Sequence, residues 1–240
     1  MFLKSISMKD VPSEIRNSYP FDIPSIRNLN EVDFTSNVTF FVGENGSGKS
    51  TLLEAIAYQS GFNTAGGSRH NHFDLVESNS DLGEYVRLSW MPKITNGFFL
   101  RSETFYNFAS HIDDMGPDSV SCYGGKSLHS QSHGESFLSL FSNRFGKEGI
   151  YLLDEPEAAL SPLRQMSLLR IIYELESTGS AQFIIATHSP ILMAYPNSQI
   201  LLFDESGISE SEYEKTEHYT LTKDFLNNRE RFLKELFCDD

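Results

Sequence analysis

The sequence predicts an α/β protein in which a mostly parallel central sheet is flanked by helices. Three short apolar runs indicate this, at residues 38–42, 150–153 and 183–186. Each has the length and the residue types of a strand that is buried on both faces. Helical spacing of apolar residues follows the first two runs, as expected where strands and helices alternate around a parallel sheet. The length of 240 residues suits a single domain over residues 1–240 with a large core.

The loop after the first strand reads Gly-Glu-Asn-Gly-Ser-Gly-Lys-Ser-Thr, from Gly43 to Thr51. It contains Gly-x-x-x-x-Gly-Lys-Ser, the phosphate-binding P-loop pattern, between a strand and a helix. Glycines let backbone N–H groups turn toward phosphate oxygens, and the helix N-terminus adds a positive dipole. Lys49 can reach the β- and γ-phosphates, and Ser50 can place its hydroxyl on Mg²⁺. The predicted nucleotide-binding positions are Gly43, Glu44, Asn45, Gly46, Ser47, Gly48, Lys49, Ser50 and Thr51.

Polar side chains also follow the other two buried strands. Asp154 and Glu155 end the second strand, and His188 comes directly after the third. Carboxylates at the end of a buried strand are costly unless they bind a cation or take part in chemistry. The carboxyl ends of strands are also where α/β sheets bind ligands. We therefore expect these three side chains to lie at the same edge of the sheet as the P-loop.

The other predicted elements complete the fold class with an antiparallel β portion and a small helical region. In chain order they are a strand within residues 1–9, two strands at 85–90 and 97–100 joined by a turn, a short helix at 103–112, a helix start at 132, a helix at 162–177, a strand at 200–203 and terminal helices. Pro12, Pro20 and Pro24 argue against a long helix before the P-loop. Residues 61–83 and 113–127 are predicted to be variable polar loops. His70 and His72 lie in the first of these loops, where solvated histidines are commoner than metal ligands.

Composition narrows the class of protein. No apolar stretch approaches the roughly 20 residues that a membrane helix needs, and the N-terminus does not resemble a signal peptide. Cys122 and Cys238 form no disulfide framework or metal spacing, so we expect a cytoplasmic protein. The net charge of −14 opposes broad binding to nucleic acid, although it leaves room for a local basic patch. A GTPase is not expected, because no Asn-Lys-x-Asp motif is present.

These strand ends, in this order, resemble the ABC class of P-loop ATPases, with its Walker A and Walker B motifs and its switch histidine. Ser132-His133-Gly134-Glu135, at a predicted helix start, resembles the signature motif of that class. The run from Ser132 to Pro190 is similar to small stand-alone bacterial AAA/ABC-type ATPases. These are related in sequence style to Rad50, SMC and RecF heads. The interval between Ser50 and Ser132 is too short for their coiled-coil arm.

The resemblance implies an ATP hydrolase with Mg²⁺ as its cofactor. Lys49 would hold the β- and γ-phosphates, while Ser50 and Asp154 would hold the metal ion. Glu155 would orient and polarise the attacking water, and His188 would contact the γ-phosphate. Catalysis would come mainly from positioning and charge stabilisation.

The resemblance further implies a homodimer that sandwiches two ATP molecules. Ser132, His133 and Gly134 would contact the nucleotide held by the other subunit, and Ser161 would lie in the loop that crosses the dimer. Two of these positions depart from the usual signature, which has Gly in place of His133 and Gln in place of Glu135. Ser132 and Glu135 also fit an ordinary capping box at a helix start.

Two further positions stay open. The class has a Gln between P-loop and signature that reaches the metal ion and the water. Glu103 is a candidate for its place, with an exposed Glu at a helix start as the favoured alternative. Either Tyr19 or Phe21 could stack on adenine, as an aromatic residue does in many P-loop ATPases. A core or loop aromatic is the favoured alternative for both.

The sequence favours an ATPase without membrane insertion, whose ATP-driven dimerisation regulates an unknown effector protein in DNA maintenance or phage defence. One alternative is the nucleotide-binding motor subunit of a membrane transporter. The missing Gln opposes it, because that loop couples transporter motors to their membrane partners. Another alternative is a slow ATP-dependent sensor, although Glu155 favours hydrolysis.

Overall fold

The computed structural model describes residues 1–64, 66–67, 81–103, 110 and 148–238. Its strands are β1 Leu3–Met8, β2 Glu31–Asp33, β3 Val38–Val42, β4 Val86–Trp90, β5 Gly97–Arg101, β6 Gly149–Asp154, β7 Ala181–Ala186, β8 Gln199–Asp204 and β9 Gly207–Ser211. Its helices are α1 Pro24–Arg27, α2 Lys49–Ser60, α3 Leu82–Tyr85, α4 Pro162–Ser177, α5 Pro190–Met193, α6 Glu217–Asn227 and α7 Arg229–Phe237. Short 3₁₀ turns span Pro156–Ala159 and Tyr213–Lys215.

The described strands form two sheets. The larger has six strands in the order β5-β6-β7-β3-β8-β9, and every neighbouring pair is parallel except β8 and β9. The smaller is antiparallel, with the order β2-β1-β4. This confirms the predicted fold class of a mostly parallel sheet with helices and an antiparallel portion. Among the helices of the described residues, none is long and apolar enough to cross a membrane.

Both faces of the parallel sheet are covered. Side chains of β3, β6 and β7 alternate between two apolar clusters, one on each face. Helix α4 packs on one face through Leu168 and Ile172. Helix α2 and the small sheet pack on the other face, with Leu52, Leu53 and Ile6 in that cluster. The sheet is therefore buried on both faces, and the polar residues that follow its strands lie at the edge formed by the carboxyl ends of those strands.

The two strands that flank Pro92 lie in different sheets, although the sequence suggests a pair joined by a turn. Strand β4 pairs with β1, whereas β5 pairs with β6. Their burial explains the difference. Strand β5 is buried on both faces, as a strand of a covered parallel sheet must be, while β4 alternates between buried and exposed positions. Strand β9 was not predicted, since its sequence Gly-Ile-Ser-Glu-Ser is polar and lies at the sheet edge.

Several predicted features fall wholly or largely outside the described residues. They are the loop at 61–83, the helix at 103–112, the loop at 113–127, the signature-like stretch at 132–135 and the histidines at positions 70 and 72.

Candidate nucleotide site

The P-loop connects β3 to α2 and takes a conformation that only glycine fits at two positions. Gly43 has a φ of 151°, and a Cβ atom there would lie 2.3 Å from the carbonyl oxygen of Phe203. Gly48 has a φ of 94°, and its Cβ would lie 2.7 Å from Ser25 Oγ. The loop is also anchored from α1, because the Ser25 hydroxyl donates to the carbonyl of Ser47. Backbone N–H groups at the start of α2 are thus held in the arrangement that binds phosphate.

Lys49 is buried at the base of this loop. Its Nζ donates to the carbonyl oxygens of Gly43 and Glu44, each at 2.8 Å. Burial lowers the pKa of this ammonium, while Glu155 and Asp154 nearby act in the opposite direction. A flexible ammonium bound to loop carbonyls can exchange them for the phosphate oxygens of a nucleotide.

Ser50 and Asp154 join the P-loop to the acidic end of β6. The Ser50 hydroxyl donates to Asp154 Oδ1 at 2.8 Å. Burial raises the pKa of Asp154 to about 6, although the Ser50 hydrogen bond and the Arg101 charge oppose that shift. A buried carboxylate whose neutral form is favoured in this way has much to gain from a cation.

This pair fits Mg²⁺. Hydroxyl and carboxylate oxygens are hard ligands, and Mg²⁺ in nucleotide sites takes one or two protein oxygens together with phosphate oxygens and waters. A dedicated cage is therefore not expected, and the described residues contain no cluster of three or more His, Cys, Asp or Glu suited to a metal. When bound, the ion would neutralise negative charge on the β- and γ-phosphates.

Arg101, at the end of β5, is a basic residue of this site that the sequence reasoning missed. Its Nε lies 3.5 Å from Asp154 Oδ2, and its Nη1 lies 3.1 Å from Glu54 Oε2 on α2. Its Nη2 lies 3.7 Å from Glu103 Oε2. Arg101 thus connects the P-loop helix, the acidic strand end and Glu103. The Glu103 side chain is 82% exposed, and its observed ion pair is with this arginine.

Glu155 has a left-handed backbone, with φ 49° and ψ 52°, which is strained for a residue with a side chain. Hydrogen bonds to β7 and to the residue that follows β5 hold this conformation. The Glu155 N–H donates to the carbonyl of Ala186 in β7 at 2.9 Å, and its own carbonyl accepts from the Ser102 hydroxyl at 2.7 Å. Because its backbone is held in this conformation, the Glu155 side chain points toward His188. The distance between Glu155 Oε1 and His188 Nε2 is 3.7 Å.

His188 is held by contacts on its backbone and on its ring. Its N–H donates to Glu157 Oε1 at 2.5 Å, and its Nδ1 lies 2.8 Å from Nε2 of His218 on α6. Burial, followed by the charge of Lys49, lowers the pKa of His188 to about 4. The imidazole is therefore neutral near pH 7, and it can donate from one ring nitrogen while it accepts at the other.

Within the part of the chain that the structure describes, one small and one larger cavity adjoin the P-loop. One of about 160 Å³ lies between the loop, Glu155 and Tyr19. The other, of about 550 Å³, lies between the loop, the end of β8 and the start of α6, where His218 contributes to the wall. Tyr19 is exposed beside the first cavity. Phe21 is buried and makes an edge-to-face contact with Tyr85 at 5.2 Å between ring centroids. Phe21 is thus a core aromatic, the favoured alternative from the sequence, and Tyr19 is the aromatic available to a ligand.

The structure gathers Lys49, Ser50, Asp154, Glu155 and His188 at one edge of the parallel sheet. Ser161 occupies the N-cap position of α4 with an exposed side chain that makes no capping bond. The signature-like residues Ser132, His133 and Gly134, and the neighbouring Glu135, lie outside the described residues.

Sequence reasoning missed Glu157 and His218 as well as Arg101. Glu157 lies two residues after Glu155, and a third acidic residue so close to a buried strand end could have indicated a structural role. His218 gave no signal, since it is a lone histidine in a polar stretch. Its partner lies 30 residues away in the chain.

Comparison with known proteins agrees with this architecture. A family model described as "AAA domain" matches residues 15–104, and one described as "AAA domain, putative AbiEii toxin, Type IV TA system" matches residues 136–194. No curated protein matches the chain in sequence.

Among solved structures, cbiO1 from Clostridium perfringens, part of an ABC transporter complex, is 16% identical with a TM-score of 0.52. The match covers 96% of this chain and 98% of that chain. An ATP-binding cassette of an ABC transporter is 15% identical with a TM-score of 0.51, and both chains are covered completely. An SMC head domain from Thermotoga maritima is 19% identical over 88% of this chain and 100% of that chain, with a TM-score of 0.49.

At these identities the two transporter structures show the fold alone. Each family model covers less than half of the chain, and the two matched ranges contain the P-loop and the acidic end of β6 respectively. Taken together, the P-loop geometry, the sheet topology and the similar solved structures show that the chain has the fold of ABC-type P-loop ATPase domains.

Proposed function

We propose that the chain binds ATP with Mg²⁺ at this site and hydrolyses it. The observation that carries the proposal is the 2.8 Å contact between Ser50 and Asp154, with Glu155 and His188 beside it. That contact places the phosphate-binding loop next to the acidic end of β6, so a single bound nucleotide and its metal ion can contact both. The whole chain would act as a single ATPase domain.

Each side chain would then have a distinct task. Lys49 would leave its carbonyl partners and bind the β- and γ-phosphates, while Ser50 and Asp154 would hold Mg²⁺. Glu155 would orient the attacking water and accept its proton, and His188 would donate to a γ-phosphate oxygen. These contacts act by placing the reactants and by stabilising negative charge as it develops.

We also propose that Tyr19 stacks on the adenine ring. Its side chain is 60% exposed, and it lies beside the cavity that ends at Glu155. A base–aromatic stack contributes about 1–3 kcal/mol. Replacement of Tyr19 by Ala should therefore weaken ATP binding by about 5- to 150-fold, and replacement by Phe should retain it. If the Ala variant bound ATP as tightly as the wild type, Tyr19 would not contact the adenine ring.

The test of nucleotide binding is a titration with ATP and Mg²⁺ by calorimetry. Lys49→Ala should lower affinity by at least about 100-fold, because charge-assisted hydrogen bonds to phosphate are lost. Lys93→Ala, which removes an exposed lysine far along the chain from the loop, is the matched control and should bind as the wild type does. Undiminished binding by the Lys49 variant would contradict the site assignment.

We further propose that two copies close head-to-tail around two ATP molecules. Support comes from the resemblance of Ser132-His133-Gly134 to a signature motif, which would complete the site of the other copy. In light scattering with ATP and Mg²⁺, Glu155→Gln should form a stable dimer because it retains the nucleotide. Glu210→Gln, at an exposed position on β9, should behave as the wild type does. Ser132→Arg should bind ATP and stay monomeric; a dimer of that variant would contradict the signature assignment.

The proposed biological role is regulation of an effector protein in DNA maintenance or phage defence. The description of the family that matches residues 136–194 names a toxin–antitoxin system, which is compatible with a defence role. The nearest alternative is a transporter motor, since two of the similar structures come from ABC transporters. A pull-down with the Glu155→Gln variant and ATP separates the two, because recovery of a membrane permease would favour the transporter.

A further inference from the structure

His218 reaches the ATP site from a separate part of the chain. It lies in the first turn of α6, and its Nε2 is 2.8 Å from His188 Nδ1, with the ring centroids 4.9 Å apart. Its ring also contributes to the cavity beside the P-loop. Burial lowers the pKa of both imidazoles, so each is neutral near pH 7. A hydrogen bond between two neutral imidazoles needs one donor and one acceptor.

The surroundings of His188 decide which ring donates. Its Nε2 faces the Glu155 carboxylate at 3.7 Å and has no hydrogen-bond partner among the described residues. If His188 donated from Nδ1, a bare nitrogen lone pair would point at that carboxylate and at the incoming γ-phosphate. If His218 donates instead, His188 carries its proton on Nε2 and presents an N–H to both anions. The second arrangement is favoured by electrostatics.

The stretch before α6 adds a second contact with the same segment. The Tyr213 hydroxyl donates to the carbonyl of Pro190, the first residue of α5 and two residues after His188. Thr216, buried at the N-cap of α6, donates its hydroxyl to the carbonyl of Tyr213. Tyr213 and His218 are thus connected through Thr216, and both form hydrogen bonds with the segment from His188 to Pro190.

We propose that His218 is a positioning residue that sets the tautomer and orientation of His188, and so couples α6 to the γ-phosphate contact. The inference rests on the proposed ATPase function, because it concerns the histidine assigned there. A shift of α6 would release His188 Nδ1 and remove the constraint on the proton at Nε2. The position of α6 would then control hydrolysis without any change in the P-loop.

Steady-state kinetics with ATP and Mg²⁺ test the positioning role. His218→Phe keeps a ring but cannot donate, so kcat should fall by about 10- to 100-fold, the range seen when a metal-bound histidine loses its outer hydrogen-bond partner. KM for ATP and the affinity for ADP should stay within about 2-fold, because Lys49 and the P-loop are untouched. His218→Gln places an amide donor near the same position and should restore most of kcat. Tyr219→Phe on the same helix is the control and should match the wild type.

The proton position can be measured independently of turnover. In ¹⁵N NMR of the wild-type chain, His188 should show the Nε2-protonated tautomer, and His218→Phe should shift it toward a mixture. This readout distinguishes failure of the inference from failure of the proposed ATPase, since it needs no hydrolysis. Protonation of His188 on Nδ1 in the wild type would overturn the inference. So would an unchanged kcat in His218→Phe alongside an active wild type.

Discussion

The P-loop helix α2 and the helix α6 both border the nucleotide site, yet they are attached to the molecule in opposite ways. Most of the 12 residues of α2 are buried, whereas neither C-terminal helix has a buried residue. Helix α2 is fixed by apolar packing against the sheet. Helix α6 contacts the site through the hydrogen bond between His218 and His188, and the turn before it adds the bond from Tyr213 to Pro190. The phosphate-binding loop is therefore built into the core, while α6 can change position at little cost to the fold.

The sharpest test of this contrast compares the same substitution in both regions. Leu53→Ala removes a fully buried side chain from α2 and should lower the free energy of unfolding by about 2–5 kcal/mol. Leu226→Ala, at a position in α6 that is 72% exposed, should change it by less than about 0.5 kcal/mol. Urea denaturation measures both. Similar losses for the two variants would mean that α6 is packed as firmly as α2.

Replacement of a buried aspartate by Asn and of an exposed, ion-paired one should change the free energy of unfolding in opposite directions. Burial raises the pKa of Asp154 to about 6, so between about pH 4 and 6 the folded state keeps a proton that the unfolded state has released. The stability contribution of Asp154 therefore falls as pH rises through this window. Asp154→Asn should raise the free energy of unfolding by about 1–3 kcal/mol at pH 7.5, and by much less at pH 4.

The matched variant is Asp224→Asn in α6. Asp224 Oδ2 pairs with Arg231 at 2.7 Å on the exposed surface, so its loss should cost about 0–1 kcal/mol at pH 7.5. Denaturation at the two pH values gives both results. A destabilised Asp154→Asn protein at pH 7.5 would show that the Ser50 and Arg101 contacts outweigh the burial of the charge.

The smallest expected effect is local. Tyr213→Phe removes the hydrogen bond to the Pro190 carbonyl, a contribution of about 0.5–1.5 kcal/mol. Amide hydrogen exchange in α6 should accelerate by about 2- to 10-fold, and exchange in α2 should not change. Tyr195→Phe serves as the comparison, as Tyr195 lies near α5 outside this contact. Equal acceleration in α2 would mean that the two regions open together.

The buried parallel strands and the long helices were predictable because their apolar spacing is strong. Helix α4 spans the predicted 162–177, and α2 ends at Ser60 as the sequence indicated. The assignment of β4 and β5 to separate sheets was not predicted, because a turn between two strands does not specify their partners. Strand β9 was missed since an edge strand of polar residues has little apolar alternation.

The site divides in the same way. The proximity of Lys49, Ser50 and Asp154 was predictable because each lies in a local motif at the end of a buried strand. Arg101 and His218 were not, because their roles come from partners far away in sequence, in α2 for the first and next to β7 for the second. The difference between Tyr19, which is exposed, and Phe21, which is buried, also needed the structure, since both lie in the same proline-containing stretch.

The proposed activity depends above all on Glu155, which would act on water beside a nucleotide held by the P-loop. Multiple-turnover ATP hydrolysis with Mg²⁺, measured as phosphate release by wild type and Glu155→Gln, tests it most directly. We expect turnover by the wild type, and a rate at least about 100-fold lower for the variant with ATP still bound. Phosphate release by Glu155→Gln at the wild-type rate would show that Glu155 does not act on the attacking water.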